Sequence, residues 1–259
     1  MLSKNKIRFI SSLKTKKARD EENLYVIEGE KIVREFLNAG ISFKILAAKA
    51  EFLDSLPPDK LKLADEADSV SYEELKQMSS LKTPHNALAV IEKPDIPFNT
   101  KSMADQICVA LDCVQDPGNL GTIIRAAAWF GIKSIVCSED SVDSFNPKVI
   151  QASMGALIHV NTFYTDLREF LKSSNEAKVQ IFGTFLEGDS IYEHKLASAG
   201  IILLGNESKG ISDDINSFVT DRIFIPAAGK SRPGIESLNV GMAASVIFSE
   251  FMRRQGKKS

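Results

Sequence analysis

The sequence has few of the residues from which disulfide-rich, metal-binding and membrane proteins are built. Its 259 residues include three cysteines, three histidines and one tryptophan. Three cysteines are too few for a disulfide framework, and the histidines stand far from them in the chain, so we expect a reduced protein without a metal site. The longest stretch without a formal charge, 149–165, contains too many polar residues for a membrane-spanning helix. These features predict a cytoplasmic protein with no membrane association.

Nucleotide-binding glycine motifs are also missing. No two glycines in the chain are separated by a single residue, and no glycine loop precedes a lysine of the Walker type. Binding of nicotinamide, flavin or ATP through these motifs is therefore disfavoured. What remains is an ordinary globular composition, with 44% apolar and 25% charged residues, in a chain long enough for one large domain or two small ones.

Charge is distributed unevenly, although the net charge is only -2. The first nineteen residues contain seven lysines and arginines and no carboxylate. An organelle transit peptide, a solvated helix face on Ile7, Ile10 and Leu13, and an arm that contacts phosphates all fit this pattern. Spacing alone does not choose among them.

The pattern of apolar runs divides the chain near residue 100. Residues 1–98 alternate short apolar runs with helix-like stretches, which is typical of a small α/β domain. We interpret 99–106 as a linker, because the segment around it is polar, contains Pro97 and has no periodicity. In 107–259, near-continuous apolar strands alternate with helices, and this predicts a parallel sheet covered on both faces.

Three loops of the second domain are rich in glycine, asparagine and serine. They read DCVQDPGNLG, LLGNESKG and IPAAGKSRPGIESLNV, and each follows a predicted strand. Ligands of parallel sheets bind at the carboxyl ends of the strands, so the three loops are expected to form one cleft. Asn119 is predicted to cap the helix that carries Arg125. Trp129 and Phe130, further along that helix, are expected in the core.

The runs NLGTIIRAAAWFG, LLGNESKGIS and IP followed by SLNVGMA resemble, in order and spacing, the three signature motifs of the SpoU (TrmH) branch of the SPOUT RNA methyltransferases. The start of the chain, with KKARDEENLYVIEGEKIV and TPHNALAV, resembles the ribosomal-protein-like substrate-binding domain of that family. The resemblance covers nearly the whole chain. It implies an α/β protein whose C-terminal parallel-sheet domain forms a trefoil knot, a rare exception to the rule against threaded chains.

The resemblance also implies an activity, which is transfer of a methyl group from S-adenosylmethionine to a ribose 2'-hydroxyl of RNA. Ribosomal RNA is favoured over transfer RNA as the substrate, and the family is homodimeric. By position in the motifs, six residues are expected at the cofactor: Thr184, Leu204, Gly205, Asn206, Ile225 and Leu238.

Five polar residues on the same loops are candidates for the catalytic groups near the hydroxyl: Arg125, Asn119, Glu207, Ser237 and Asn239. The family assigns the general base to the position of Arg125. A free guanidinium titrates above ~12, so orientation of an RNA phosphate is an equally good role for this residue. Glu207 either holds Asn119 in place or lies near the sulfonium.

The resemblance to this family implies a function for the basic residues at the start of the chain. Lys14, Lys16, Lys17 and Arg19 are expected to contact RNA phosphates without reading sequence. Two features depart from the family pattern: the loop 229–237 is longer than usual, and Gln151 stands where relatives often carry arginine.

Two other classes of protein were weighed against this interpretation. A non-catalytic RNA-binding or ribosome-assembly factor with the same fold is disfavoured by the intact motif residues. A flavodoxin-like or nicotinamide enzyme is disfavoured by the missing glycine fingerprint.

Overall fold

The computed structural model describes residues 2–98, 105–228 and 237–255. The helices within these ranges are α1 Lys4–Ser12, α2 Lys16–Glu22, α3 Glu30–Asn38, α4 Ala50–Asp54, α5 Pro58–Leu61, α6 Tyr72–Met78, α7 Pro117–Trp129, α8 Pro147–Ser153, α9 Leu167–Glu176, α10 Asp213–Asn216 and α11 Val240–Gln255. The strands are β1 Leu24–Glu28, β2 Phe43–Ala48, β3 Ala64–Ser69, β4 Ala87–Glu92, β5 Ile107–Leu111, β6 Ser134–Ser138, β7 Asn161–Thr165, β8 Ile181–Ser190, β9 Gly200–Leu204 and β10 Asp221–Phe224. The predicted linker 99–106 lies largely outside the described residues.

The chain forms two compact units. The front unit comprises Met1–Asp95 together with Phe145–Ile158, and the second unit comprises Ile96–Ser144 and His159–Ser259. The segment Phe145–Ile158, which contains α8, therefore groups with the front of the chain. None of the helices within the described residues is long and apolar enough to cross a membrane.

A mixed four-stranded sheet forms the centre of the front unit. Its order is β1-β4-β2-β3, in which β4 runs antiparallel to β1 and β2, whereas β3 runs parallel to β2. The sequence pattern did not predict β3, because ADEADS contains acidic residues that strands usually avoid. This edge strand is exposed, and its charges hinder pairing with another chain.

Helix α1 resolves part of the uncertainty about the basic start. Its apolar residues Ile7, Ile10 and Leu13 are buried in a core cluster of the front unit, so they do not form a solvated face. Burial of this stripe, rather than local propensity, supplies most of the stability of a nine-residue helix. Lys6 forms ion pairs with Glu66 at 2.5 Å and Asp68 at 2.6 Å, which are two of the three acidic residues of β3.

The second unit has the parallel sheet that the apolar runs predict. Its six strands follow the order β10-β8-β9-β5-β6-β7, and every neighbouring pair is parallel. The central strands β5, β6 and β9 are buried along their whole lengths. Cys108 and Cys137 are packing residues within this core, and burial raises the pKa of each thiol to about 12.

One core prediction is wrong. Trp129, expected in the interior, is 84% exposed at the end of α7. Thr122, Arg125 and Trp129 stand three and four residues apart, which places them on one face of α7. All three side chains are exposed.

Candidate active site

Two strand-end turns and the start of α11 converge in the second unit, as the sequence predicts for the three loops. The cleft between them has a volume of about 580 Å³. Its lining residues come from the turn after β5, the turn after β9 and the segment before α11, and they are Cys113, Gln115, Asp116, Asn119, Asn206, Glu207, Ser208, Lys209 and Asn239. Four of the residues predicted from the motifs, Asn119, Asn206, Glu207 and Asn239, therefore lie in one site.

The start of α7 differs from the prediction in one respect. Asp116, not Asn119, caps the helix, because its Oδ1 accepts a hydrogen bond from the Asn119 N–H at 2.9 Å. Pro117 occupies the first helical turn, where a missing N–H has no cost. With the cap supplied by Asp116, the Asn119 side chain is available to the cleft.

A directed chain of hydrogen bonds joins the three loops. The Asn119 Nδ2 group donates to Glu207 Oε1 at 2.8 Å, and the Asn239 Nδ2 group donates to Asn119 Oδ1 at 2.8 Å. The Asn239 Oδ1 atom accepts the N–H groups of Gly241 at 3.0 Å and Met242 at 3.3 Å, which begin α11.

The chemistry of these groups fixes the direction of the chain. An ionised carboxylate only accepts hydrogen bonds, so Glu207 selects the amino side of the Asn119 amide. The carbonyl oxygen of Asn119 then faces Asn239, and the carbonyl of Asn239 faces the helix N–H groups. The chain thus runs from the positive end of α11 to a carboxylate, and each bond polarises the next. The bond between Glu207 and Asn119 corresponds to one of the two roles predicted for Glu207.

The turn after β9 is held by Asn206. Its Nδ2 group donates to the Cys113 carbonyl at 2.7 Å, and its Oδ1 atom accepts the N–H groups of Ser208 at 3.0 Å and Lys209 at 3.1 Å. At the preceding position, a Cβ atom on Gly205 would overlap the backbone of Gly210 and Ile211. Glycine is therefore required at 205 by close approach of backbone to backbone.

Three other cofactor candidates belong to neighbouring strands: Thr184 lies within β8, Leu204 ends β9 and Ile225 follows β10. Thr184 follows Gly183 in β8, which pairs with Leu203 of β9, so Thr184 and Leu204 are adjacent in register. Ile225 comes directly after β10, the other neighbour of β8. Buried or half-buried apolar side chains and backbone groups at adjoining strand ends fit an adenosine moiety, which needs an apolar slot with a few polar contacts.

Seven of the site residues predicted from the motifs do not line the cleft, and they are Thr184, Leu204, Gly205, Ile225, Arg125, Ser237 and Leu238. Arg125 is exposed on α7, six positions beyond Asn119. Ser237 and Leu238 are exposed in the segment before α11, and most of the long loop 229–237 lies outside the described residues. Conversely, Gln115, Lys209 and Cys113 line the cleft without having been singled out. Their positions within the first two motif loops are the sequence signal that identifies them as candidates.

In the front unit, one predicted phosphate contact is wrong. Arg19 is 2% exposed, and its Nη1 group donates to the carbonyls of Leu13 at 2.9 Å and Lys14 at 2.8 Å. A guanidinium buried against the end of α1 is not available to RNA. Lys16 and Lys17 are exposed, and Lys14 is half-buried.

Gln151 also has a structural contact in place of a phosphate. Its Nε2 group donates to the Glu28 carbonyl at 3.0 Å, which ties α8 to the end of β1 within the front unit.

Comparison with known families shows to which family the parallel-sheet unit and its strand-end turns belong. Residues 106–249 match the model of the SpoU rRNA methylase family, and residues 4–89 match the MRM3-like substrate binding domain. The first match spans more than half of the chain. The chain therefore belongs to the SpoU rRNA methylase family, and the resemblance seen in the motifs is confirmed.

Individual relatives match over nearly the whole chain. The Bacillus subtilis 23S rRNA (guanosine(2553)-2'-O)-methyltransferase RlmP is 28% identical over 243 residues, which cover 93% of this chain and 94% of the relative. A solved structure of a putative TrmH-family RNA methyltransferase from Porphyromonas gingivalis superposes with a TM-score of 0.87 at 37% identity, covering 98% and 99% of the two chains. The S-adenosylmethionine-bound rRNA methyltransferase of Sinorhizobium meliloti gives a TM-score of 0.82 at 26% identity, covering 98% and 96%.

Proposed function

We propose that this protein transfers the methyl group of S-adenosylmethionine to a ribose 2'-hydroxyl of ribosomal RNA. The observation that carries the proposal is the hydrogen-bonded chain Glu207–Asn119–Asn239, which joins the motif loops around one cleft. Similarity to RlmP and to the S-adenosylmethionine-bound relative supports both the substrate and the cofactor.

The cofactor is proposed to bind at the strand ends marked by Thr184, Leu204 and Ile225, with Gly205, Asn206 and Leu238 beside it. When bound, it supplies an electrophilic methyl group on a sulfonium. The protein holds the acceptor hydroxyl in line with that group, and such orientation contributes roughly 7 to 11 kcal/mol to barrier reduction in well-ordered sites. The rigid amide and carboxylate chain maintains the distances on which this orientation depends.

Arg125 and Ser237 complete the proposed catalytic set. Arg125 is exposed on α7, and its side chain is proposed to orient an RNA phosphate and the attacking hydroxyl, because planar N–H groups bind phosphate bidentately. Ser237 enters from the segment before α11, next to Leu238 and Asn239.

Methyl transfer assays distinguish ribosomal from transfer RNA. Purified protein incubated with tritiated S-adenosylmethionine is expected to label unmethylated ribosomal RNA transcripts and to leave transfer RNA unlabelled. Equal labelling of transfer RNA would contradict the substrate preference, and absence of label in any RNA would favour the non-catalytic alternative.

The front unit is proposed to bind RNA electrostatically through Lys14, Lys16 and Lys17. The charge reversals Lys16→Glu and Lys17→Glu are expected to weaken RNA binding and to reduce the slope of log K against log salt by about 0.7 to 0.9 for each lost phosphate contact. The measurement is fluorescence anisotropy of a labelled ribosomal RNA fragment between 50 and 200 mM salt, about the range over which such contacts are resolved.

A matched control for the basic arm lies elsewhere in the front unit. The pair Lys60→Glu and Lys62→Glu changes the net charge equally near α5. If both pairs reduce the slope equally, the effect is one of net charge and the arm has no specific role.

We propose that the protein is a homodimer. Three large apolar side chains of the second unit are exposed: Trp129 at the end of α7, Met242 in α11 at 61% and Leu238 just before α11 at 47%. The helices α7 and α11 pack against each other. Large apolar side chains at one surface are typical of protein interfaces. The family resemblance assigns the C-terminal helix to the dimer contact, and a trefoil knot in the second unit is proposed on the same ground.

Charge introduced on this surface should separate the subunits. Trp129→Glu with Met242→Glu is expected to convert a dimer to a monomer in sedimentation velocity, whereas Tyr72→Glu, at an exposed position of the front unit, leaves the dimer intact. A monomeric wild type, or a dimer that survives the double change, would refute the assignment.

A cytoplasmic location, where unpaired cysteines persist, completes the proposal.

A further inference from the structure

The turn after β5 adopts a backbone conformation that needs support. Cys113 has a φ of 54°, in the left-handed region that residues other than glycine seldom occupy. Such conformations persist only where surrounding contacts enforce them, and they concentrate at functional sites. Cys113 lines the cleft and immediately follows Asp112 at the end of β5.

The support comes from the turn after β6. The Cys113 N–H donates to Ser138 Oγ at 2.8 Å, and the next N–H, of Val114, donates to Ser141 Oγ at 3.2 Å. The Ser138 hydroxyl in turn donates to Asp140 Oδ1 at 2.6 Å. Ser138 and Ser141 are buried, whereas Asp140 is exposed.

The turn after β5 also contacts the turn after β9, which carries Glu207. The Cys113 carbonyl accepts the Asn206 amide, and Asn206 organises the turn that carries Glu207. The direction of that carbonyl depends on the backbone angles of Cys113. A change at Cys113 would therefore move Asn206, and with it the carboxylate that holds Asn119.

We propose that Asp140 is a positioning residue for methyl transfer: by orienting Ser138 it fixes the Cys113 backbone, whose carbonyl places Asn206 and Glu207. This inference rests on the proposed function. Asp140 does not line the cleft; it reaches the Cys113 backbone through Ser138 and also forms a hydrogen bond with the Cys113 thiol. The effect belongs to the rate of the chemical step, because misplacement of oriented groups by about 1 Å can reduce rates up to 10²-fold.

The test compares Asp140→Ala with two matched variants. Asp140→Ala removes the carboxylate acceptor of the Ser138 hydroxyl and leaves that hydroxyl with Ser141 Oγ at 2.9 Å, Asp140→Asn keeps an acceptor oxygen, and Glu139→Ala removes the neighbouring exposed carboxylate. We expect kcat to fall about tenfold in Asp140→Ala, as a partial loss of orientation. The dissociation constant for S-adenosylmethionine should stay within about twofold, and Asp140→Asn and Glu139→Ala should retain most of the wild-type kcat.

Alkylation of Cys113 supplies a readout that does not depend on catalysis. Hydrogen bonding to the Asp140 carboxylate raises the pKa of the Cys113 thiol to about 11, so the thiolate that reacts is scarce at pH 8. In Asp140→Ala, iodoacetamide is expected to modify Cys113 at least about tenfold faster, and in Glu139→Ala at the wild-type rate. Cys108 and Cys137 are fully buried and do not compete.

Each outcome decides a separate question. A kcat in Asp140→Ala within twofold of wild type, or equal losses in Asp140→Ala and Glu139→Ala, overturns the positioning role, whereas an unchanged alkylation rate overturns the contact between Asp140 and the Cys113 thiol. Joint loss of cofactor binding and of the thermal unfolding midpoint in Asp140→Ala would also overturn it, since the effect would then be on folding. Failure of the wild-type protein to methylate RNA would instead refute the proposed function.

Discussion

Arg125→Ala is expected to lower kcat for methyl transfer by about 10²- to 10⁴-fold, the range observed when a group that assists proton transfer or orients a reactant is removed. Arg125 is exposed on α7 and is not among the residues proposed to hold the cofactor, so the affinity for S-adenosylmethionine should change by less than about twofold. Single-turnover kinetics with saturating RNA give the first quantity, and isothermal titration calorimetry gives the second.

The control for this change is Arg168→Ala, which removes an exposed arginine from α9 in the same unit. It should leave both quantities unchanged. Loss of cofactor binding in Arg125→Ala, parallel to the loss of transfer, would show that the arginine belongs to the cofactor site and that the division of roles is wrong.

Gly205→Ala, unlike Arg125→Ala, is expected to lose cofactor binding together with activity. The added Cβ would overlap the Gly210 and Ile211 backbone, and the turn after β9 must open to accept it. Overpacking of this kind typically costs about 1 to 3 kcal/mol of stability. Displacement of the turn also moves Leu204 and Asn206, so we expect at least about a hundredfold weaker S-adenosylmethionine binding, which corresponds to ~2.7 kcal/mol.

Gly131→Ala provides the matched control for the glycine change. Gly131 has a φ of 74° after the end of α7, and a Cβ there meets open space. Its replacement costs backbone strain of about 1 kcal/mol without touching the cleft. Thermal unfolding and calorimetry on both variants separate the effects, and wild-type cofactor affinity in Gly205→Ala would remove this turn from the cofactor site.

The parallel sheet and its cleft could be predicted because strong local signals coincide there. The strands β5, β6 and β9 are apolar along their whole lengths, which is the pattern of strands covered on both faces. The loops that follow them contain Asn119, Asn206 and Glu207, and the geometry of a parallel sheet brings such loops to one edge. Chain order alone thus places these residues near one another.

The errors arise where long-range contacts override a local pattern. Arg19 looks like any other cation of the basic start, but the carbonyls at the end of α1 bind its guanidinium. Asp116 and Asn119 are both good capping residues, and only the bond from the Asn119 N–H distinguishes them. Trp129 was assigned to the core by its apolar character, although its helix position points away from the buried side.

The acidic strand β3 illustrates another limit of prediction from sequence patterns. Its sequence is unfavourable for a strand, and it forms because β2 offers a parallel partner and Lys6 offsets the charges of Glu66 and Asp68. None of these partners is adjacent in sequence. Similarly, the support of Cys113 by Ser138 and Asp140 joins residues from two turns that no motif connects.

The most direct test of the account is to identify the methylated atom. Ribosomal RNA transcripts are incubated with the protein and S-adenosylmethionine carrying a trideuterated methyl group, digested to nucleosides and analysed by mass spectrometry. The account predicts a single nucleoside species with the deuterated methyl on the 2'-oxygen of its ribose, absent from a reaction with Arg125→Ala. Label on a base, or no label with the wild-type protein, would contradict it.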